Sequence, residues 1–188
     1  ALRRCLTAHG FRVRGLDIRV DPGTPEHGDV LDEAAVMRFT MGCAGIVHLG
    51  GVSRVLLGER DPAACLHTNH RGTAHVVNAA RAMHPRPWLI FGSSREVYGQ
   101  AVEQPVREDA PLEPVNVYGR SKVLAEQEVL SARAAGLRAA ILRFSNVYGC
   151  IADYPDRVVP CFSRAAVRDE ELFVDGADRT FDFTHVDD

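Results

Sequence analysis

Short apolar runs alternate with longer amphipathic stretches along most of this chain, and that alternation leaves few folds open to it. Gly45-Ile46-Val47-His48-Leu49 and Trp88-Leu89-Ile90-Phe91 are largely apolar runs of strand length. Runs of this kind suit strands buried on both faces of a parallel sheet, with crossover helices between them. The reading is α/β. Residues Leu2 to His9 read as the end of a helix closed by Gly10, and Phe11 to Asp17 as a strand ending in a carboxylate. A Pro/Gly-rich turn, Asp21 to Gly28, precedes a short helix at Glu33 to Thr40. Asp61-Pro62 opens a long helix running to about Met83, with proline in its first turn. The strand at Trp88 to Phe91 runs into Gly92-Ser93-Ser94, Val115 to Ala135 reads as a helix closed by Gly136, and Arg138 to Phe144 as a further strand. Beyond Phe144 the texture changes: Ser145 to Asp156 is polar and turn-rich, Val158 to Val167 reads as a helix, and Glu171 to Asp188 as two short strands. The module boundary is placed there, giving 1–144 and 145–188.

Composition narrows the class further. The 188 residues are 46% hydrophobic and 25% charged with a net charge of -3, the profile of one globular domain and not of collagen, a coiled coil or a disordered tail. Scattered arginines at this net charge give no basic stripe for nucleic acid. No apolar run approaches the about 20 residues of a spanning helix, and Ala1-Leu2-Arg3-Arg4 has no signal-peptide core, so no membrane is expected and the expected address is cytoplasmic. The five cysteines are odd in number and without a C-x-x-C pair, which points to reduced packing residues and to no metal site. Of the 22 basic residues one is lysine, Lys122, which leaves 21 arginines. Arginine cannot replace a compact ammonium of tunable proton affinity, so the lone lysine marks a place to look for chemistry.

Tyr118-Gly119-Arg120-Ser121-Lys122 lies on the helix that follows the strand ending in Ser94. Tyrosine and lysine at i and i+4 share a helix face. A phenol is a poor base at neutral pH unless a neighbouring cation stabilises the phenolate, and Lys122 can supply that cation. Ser94 stands at the C-terminal end of a strand, where open α/β sheets bind ligands, and its hydroxyl can hydrogen-bond the oxygen on which Tyr118 acts. Y-x-x-x-K alone is a weak signal, and the serine, strand and helix around it are what give it weight.

With these residues in view, the chain resembles the extended short-chain dehydrogenase/reductases, specifically the NAD-dependent nucleotide-sugar epimerase/dehydratase group. The resemblance also rests on Leu16-Asp17, Gly28-Asp29-Val30, Val47-His48-Leu49-Gly50-Gly51, Asn69-His70-Arg71-Gly72-Thr73 and Ser93-Ser94-Arg95-Glu96-Val97-Tyr98-Gly99. It continues through Leu142-Arg143-Phe144-Ser145-Asn146-Val147-Tyr148-Gly149 and Asp182-Phe183-Thr184-His185-Val186-Asp187-Asp188. It implies a Rossmann-type doubly wound parallel sheet, with the start of a small substrate-binding module. By resemblance the NAD contacts are Asp17, Asp29, Val30, Leu49, Gly50, Gly51, Asn69, Tyr118, Lys122 and Phe144. Asp17 at a strand tip accepts the ribose hydroxyls and repels the phosphate of NADP, Asp29 bonds the adenine amino group, and Gly50 and Gly51 let the dinucleotide approach. His48 reads as a satisfied core histidine, and His67, His70 and His75 as solvated or packing residues.

The resemblance implies that Ser94, Tyr118 and Lys122 are catalytic, and that Ser94, Glu96, Asn146, Arg157, Val158 and Arg179 contact a nucleotide-diphosphate sugar, most simply a UDP-sugar. The reaction it implies is NAD-dependent epimerisation through a transient keto-sugar. A 4,6-dehydratase or decarboxylase acting through Glu96 is the alternative among enzymes, and a non-catalytic NAD-sensing or scaffold relative the alternative outside them. Dehydratases of the group commonly carry Asp-Glu after the catalytic hydroxyl residue; this chain has Arg95-Glu96, which removes the acid that protonates a leaving hydroxyl and favours epimerisation. Phe181 stands where the family usually has a diphosphate-binding arginine, and Arg179, two residues earlier, projects to the same side of a strand. The chain shows no strand and G-x-x-G-x-x-G turn before Leu2, and Asp187-Asp188 falls inside a family motif; the expectation is an interior piece of a longer enzyme. The two long helices resemble the pair through which family members form homodimers.

Overall fold

The computed structural model describes residues 1–101, 103–150, 153–174, 176 and 180–188. Two compact units divide the chain, one made of Arg12–Arg143 and the other of Ala1–Phe11 with Phe144–Asp188.

In the larger unit, helix α2 (Glu33–Thr40) forms because Asp32 caps it, its carboxylate accepting from the Ala35 amide at 3.0 Å. The expected long helix begins at Pro62 with Asp61 as cap, but it is not one regular helix. It runs as α4 (Pro62–Leu66), a π turn (His67–Arg71) and α5 (Gly72–Ala82), preceded by a short helix, α3 (Val55–Arg60), that the pattern alone does not reveal. A π turn adds one residue to the helical circuit and so rotates every later side chain, and here it brings Asn69 inside.

The sheet has the order β1 (Gly45–His48), β2 (Trp88–Ser94), β3 (Ala139–Phe144). β1 and β2 are parallel, with Gly45 opposite Trp88 and His48 opposite Phe91. Because the register is level, the residues leaving β1, Leu49 to Gly51, and the last residues of β2, Gly92 to Ser94, come out at the same end of the sheet. That is the end at which parallel α/β sheets receive ligands. Helix α6 (Val117–Ala134) packs with α5 against these strands, and the core between them includes Val76, Leu89, Phe91, Val129 and Leu137. Alanines at 79, 80, 125 and 132 let the helices come close. Among the described residues, no helix is long and apolar enough to cross a membrane.

The strand expected at Phe11 to Asp17 is not formed. Its one ladder contact is a parallel bridge from Asp17 to His27, and the Arg14 guanidinium instead reaches the Met41 carbonyl and the Cys43 sulfur. A strand needs a partner along most of its length to satisfy its backbone groups, and residues 12–16 have none among the described residues.

In the smaller unit, α1 (Leu2–Ala8) ends at Gly10 through paired bonds from Gly10 N to Thr7 O and from Phe11 N to Leu6 O. β4 (Asn146–Tyr148), inside the segment read as turn-rich, pairs in parallel with β5 (Phe183–His185), and α7 (Val158–Val167) stands where expected. Of the two strands expected in Glu171 to Asp188, β5 alone forms among the described residues. Leu172, Phe173 and Val174 are exposed and join no ladder, so their apolar alternation has no sheet to serve.

Candidate active site

Helix α6 starts where it does because two acceptors await its free amides. Asn116 caps it, its side-chain oxygen accepting from Gly119 N at 2.7 Å, and the Glu59 carboxylate accepts from Val117 N at 2.8 Å. The helix also lies tight on the turn after β2: a side chain at Gly119 would place its Cβ 2.5 Å from the Glu96 carbonyl oxygen. Sequence reasoning placed this start at Val115 and missed Glu59, which no local pattern connects to a helix 58 positions away.

This start fixes Tyr118 and Lys122 at the sheet's C-terminal end. Both are buried, at 8% and 6% exposure. The Lys122 ammonium donates to the Gly92 carbonyl at 2.8 Å, lies 4.9 Å from the Phe91 ring centre and 5.9 Å from that of Tyr118. The two side chains therefore share one side of the helix, as the i, i+4 spacing implies. Burial pulls Lys122 down to about 8, with the charges of Cys65 and Glu126 opposing that shift. At pH 7 an ammonium of that affinity is still about nine-tenths protonated, so it remains a cation beside the phenol.

Ser94 ends β2, is 8% exposed, and its Oγ accepts from the Glu96 amide at 3.2 Å, capping the 3-10 turn Arg95–Tyr98. Glu96 has both carboxylate oxygens engaged: Asn116 donates to one at 2.8 Å, and the Arg95 guanidinium lies 3.0 Å from the other. Next to Ser94, the Ser93 hydroxyl turns to the opposite partner and donates to buried Glu126 at 2.5 Å.

The loop leaving β1 is held open by backbone mimicry. Asn69 accepts from Val52 N at 2.8 Å, and donates to Val52 O at 3.1 Å and to Ser121 Oγ at 2.8 Å. Gly51 sits at φ +143, where a Cβ would come within 2.4 Å of the Asn69 oxygen. Leu49, Gly50 and Gly51 are exposed, and Val30 packs beneath both Gly50 and Gly72 while its carbonyl accepts from the His75 ring at 3.0 Å. Asn69 thus reaches this loop from below and bonds protein groups. His48 is buried and bonded to Thr73 Oγ1 at 3.0 Å, and burial with the nearby Lys122 charge pushes it down to about 3, so it is neutral. Its satisfied bond and neutrality are those of a core histidine. His70 pairs with Glu128 at 3.0 Å, and His67 is exposed.

Of the two carboxylates expected to meet the adenosine, Asp17 is bound by Arg19, whose amide donates at 2.9 Å and whose guanidinium lies 3.3 Å away. These bonds hold the Asp17 carboxyl below the usual range, so it is an anion at neutral pH. Asp29 accepts from Leu31 N at 2.9 Å.

Phe144, Asn146, Arg157 and Val158 belong to the smaller unit. Phe144 ends β3 and is 38% exposed, while Asn146 opens β4 opposite Phe183. Arg157 precedes α7, with its guanidinium 3.5 Å from Asp153 and bonded to Val147 O at 3.4 Å; Val158, half-exposed, is the first helical residue. Arg179 lies outside the described residues.

The residues present fit a dinucleotide. Exposed Gly50 and Gly51 leave the sheet at the same end as Ser94 and as Gly92, to which the buried Lys122 ammonium is bonded, and an anionic Asp17 suits a ribose diol and opposes a further phosphate.

Comparison with known proteins identifies the family. A UDP-glucose 4-epimerase of Corynebacterium glutamicum is 35% identical over 125 residues, covering 65% of this chain and 37% of the relative. The solved structure of an NAD dependent NDP-hexosamine 5,6-dehydratase involved in tunicamycin biosynthesis superposes with a TM-score of 0.82 at 31% identity, over 99% of this chain and 63% of that one. A UDP-glucose 4-epimerase of Thermotoga maritima, solved with UDP-glucose, gives a TM-score of 0.86 at 25% identity, over 99% of this chain and 65% of that one. The chain spans less than half the length of the curated relatives it matches and under two thirds of these solved chains. With the family model matching residues 1–188, the chain belongs to the NAD dependent epimerase/dehydratase family.

Proposed function

We propose that the protein to which this chain belongs epimerises a nucleotide-diphosphate sugar, most simply a UDP-sugar, with NAD as resident cofactor. The observation that carries the reading is the buried Lys122 ammonium on the same side of α6 as Tyr118, at the strand end that carries Ser94. Lys122 lowers the energy of the Tyr118 phenolate, and that phenolate takes the proton of a sugar hydroxyl. Ser94 holds the oxygen that loses the proton. The cofactor, when bound, accepts hydride from the carbon bearing that hydroxyl and later returns it, so no external oxidant is consumed. Tyr118 gives its proton back to the oxygen as the alcohol re-forms with inverted configuration. Gly50, Gly51, Val30, Leu49, Asp29, Asp17, Tyr118, Lys122 and Phe144 are the residues assigned to the dinucleotide. Asn69 supports the loop from below. Asn146, Arg157, Val158 and Arg179 are assigned to the sugar nucleotide.

Epimerisation is favoured over elimination by the state of Glu96. A base that removes a proton from the neighbouring carbon must turn a carboxylate lone pair toward it, and the contacts to Asn116 and Arg95 hold the two oxygens of Glu96 toward other partners, while Arg95 stands where elimination would need an acid. Turnover of UDP-sugars in deuterated water separates the two reactions. Epimerisation by hydride return leaves the product unlabelled; deuterium on the sugar's carbon skeleton is the result for a dehydratase or decarboxylase and overturns this reading. A cytoplasmic homodimer formed through α4–α5 and α6 belongs to the same proposal, and light scattering of the purified protein reads its mass directly.

A further inference from the structure

On the same side of α6 as Tyr118 and Lys122, one turn past Lys122, Glu126 is almost completely buried at 1% exposure. Its carboxylate gathers three elements. One oxygen accepts from Ser93 Oγ of β2 at 2.5 Å and from Arg143 Nε of β3 at 3.0 Å, and the other accepts from Arg143 Nη2 at 2.8 Å. The remaining guanidinium nitrogen donates to the Tyr98 hydroxyl and to the Glu108 carbonyl, both at 2.8 Å, and the guanidinium carbon stands 4.9 Å from the Tyr98 ring centre. The Arg95–Tyr98 turn, which bears Glu96, is thereby tied to the same point.

An ion pair with a buried carboxylate and a guanidinium that is four-fifths covered is a poor way to obtain stability alone. Well-packed apolar side chains of the same volume generally do as well or better, because both charges must be stripped of water. What a two-pronged guanidinium–carboxylate pair supplies is direction, since its hydrogen bonds are satisfied in one relative placement of the groups that carry them. Ser93 adjoins Ser94, and Glu126 shares its helix with Tyr118 and Lys122. We infer that Glu126, with Arg143, is a positioning residue: the pair fixes the Ser94 end of β2 and the Arg95–Tyr98 turn against the helix bearing Tyr118 and Lys122. The inference rests on the proposed function for its kinetic consequence, while its structural consequence stands without it.

The test compares the whole protein with Glu126→Met/Arg143→Met, which removes both charges together, by thermal melting, steady-state kinetics and amide hydrogen exchange. The expected outcome is a folded variant with melting close to wild type. Its kcat falls at least about tenfold with KM for the sugar nucleotide within about threefold, the split left by loss of an interaction used in the transition state. Amides of residues 93–98 should exchange at least about tenfold faster. A folded double variant with wild-type kcat or wild-type exchange at those amides overturns the inference. If the double variant does not fold, Arg143→Lys keeps the charge and loses the fork. It should then lower kcat at least about threefold and speed exchange at residues 95–98, and wild-type values for both overturn the inference. If the wild-type protein turns over no nucleotide sugar, the proposed function fails, and the exchange data alone decide on Glu126.

Discussion

Between about pH 8 and about pH 10 the titration of Lys122 should add to the stability of the folded protein while taking activity away. Burial holds its affinity at about 8 in the folded chain, against 10.5 for an ordinary lysine. Between those two values the unfolded chain keeps a proton that the folded chain has released, so the unfolded state binds more protons and stability rises with pH. Integrated from pH 8 to pH 10, the difference is roughly 1.6 proton units at about 1.4 kcal/mol each, or about 2 kcal/mol in favour of the folded state. The buried Cys65 thiol, raised above its usual value of 9.0, acts in the opposite sense over the same range. Because the Lys122 charge itself lowers that thiol, the two must be separated by removing the thiol, and the informative quantity is the stability difference between Cys65→Ala and Cys65→Ala/Lys122→Met. Urea unfolding at several pH values should show Cys65→Ala gaining about 2 kcal/mol on Cys65→Ala/Lys122→Met from pH 8 to pH 10. Over the same range the wild-type kcat should fall with a midpoint near pH 8, as the cation beside Tyr118 is neutralised. A stability difference that stays flat with pH refutes the reasoning, because it means that Lys122 titrates alike in both states.

His48 supplies an acid counterpart. It titrates near 3 when folded and 6.5 when unfolded, so below about pH 6.5 the unfolded chain takes up a proton that the folded chain refuses. Wild type should lose about 2 kcal/mol from pH 7 to pH 5 relative to His48→Gln, which keeps a nitrogen near Thr73 without the titration; parallel pH profiles in urea unfolding contradict this. Gly51→Ala should cost about 2 kcal/mol or more, because its Cβ would meet Asn69 Oδ1 at 2.4 Å from a backbone at φ +143. An unchanged urea midpoint contradicts that origin.

The parts legible in the sequence were those governed by local rules. Helix Glu33–Thr40 stands where its sequence pattern puts it, and β1 and β2 follow from apolar runs bounded by turns. Tyr118 and Lys122 were found because i, i+4 spacing fixes a shared face whatever the rest of the chain does. What escaped depended on partners distant in sequence. The segment at Phe11 to Asp17 has strand composition, but a strand exists only where another strand accepts its bonds. The π turn at His67–Arg71 leaves no mark in a hydrophobic pattern, yet it sets Asn69 against Val52 and Ser121. Glu126 stands four residues past Lys122, in plain view, but its partners Ser93 and Arg143 are 33 and 17 positions away. The cap that Asn116 gives to α6 and its second role, holding Glu96, both emerged only from the coordinates.

The central claim is that a phenol kept ionised by a neighbouring ammonium performs the proton transfer, and Tyr118→Phe tests it most directly. The substitution removes one oxygen and keeps the ring that packs with Cys65 and Val117. With a UDP-sugar substrate, kcat should fall by about a thousandfold while the melting temperature stays near wild type. A kcat within about tenfold of wild type contradicts the account.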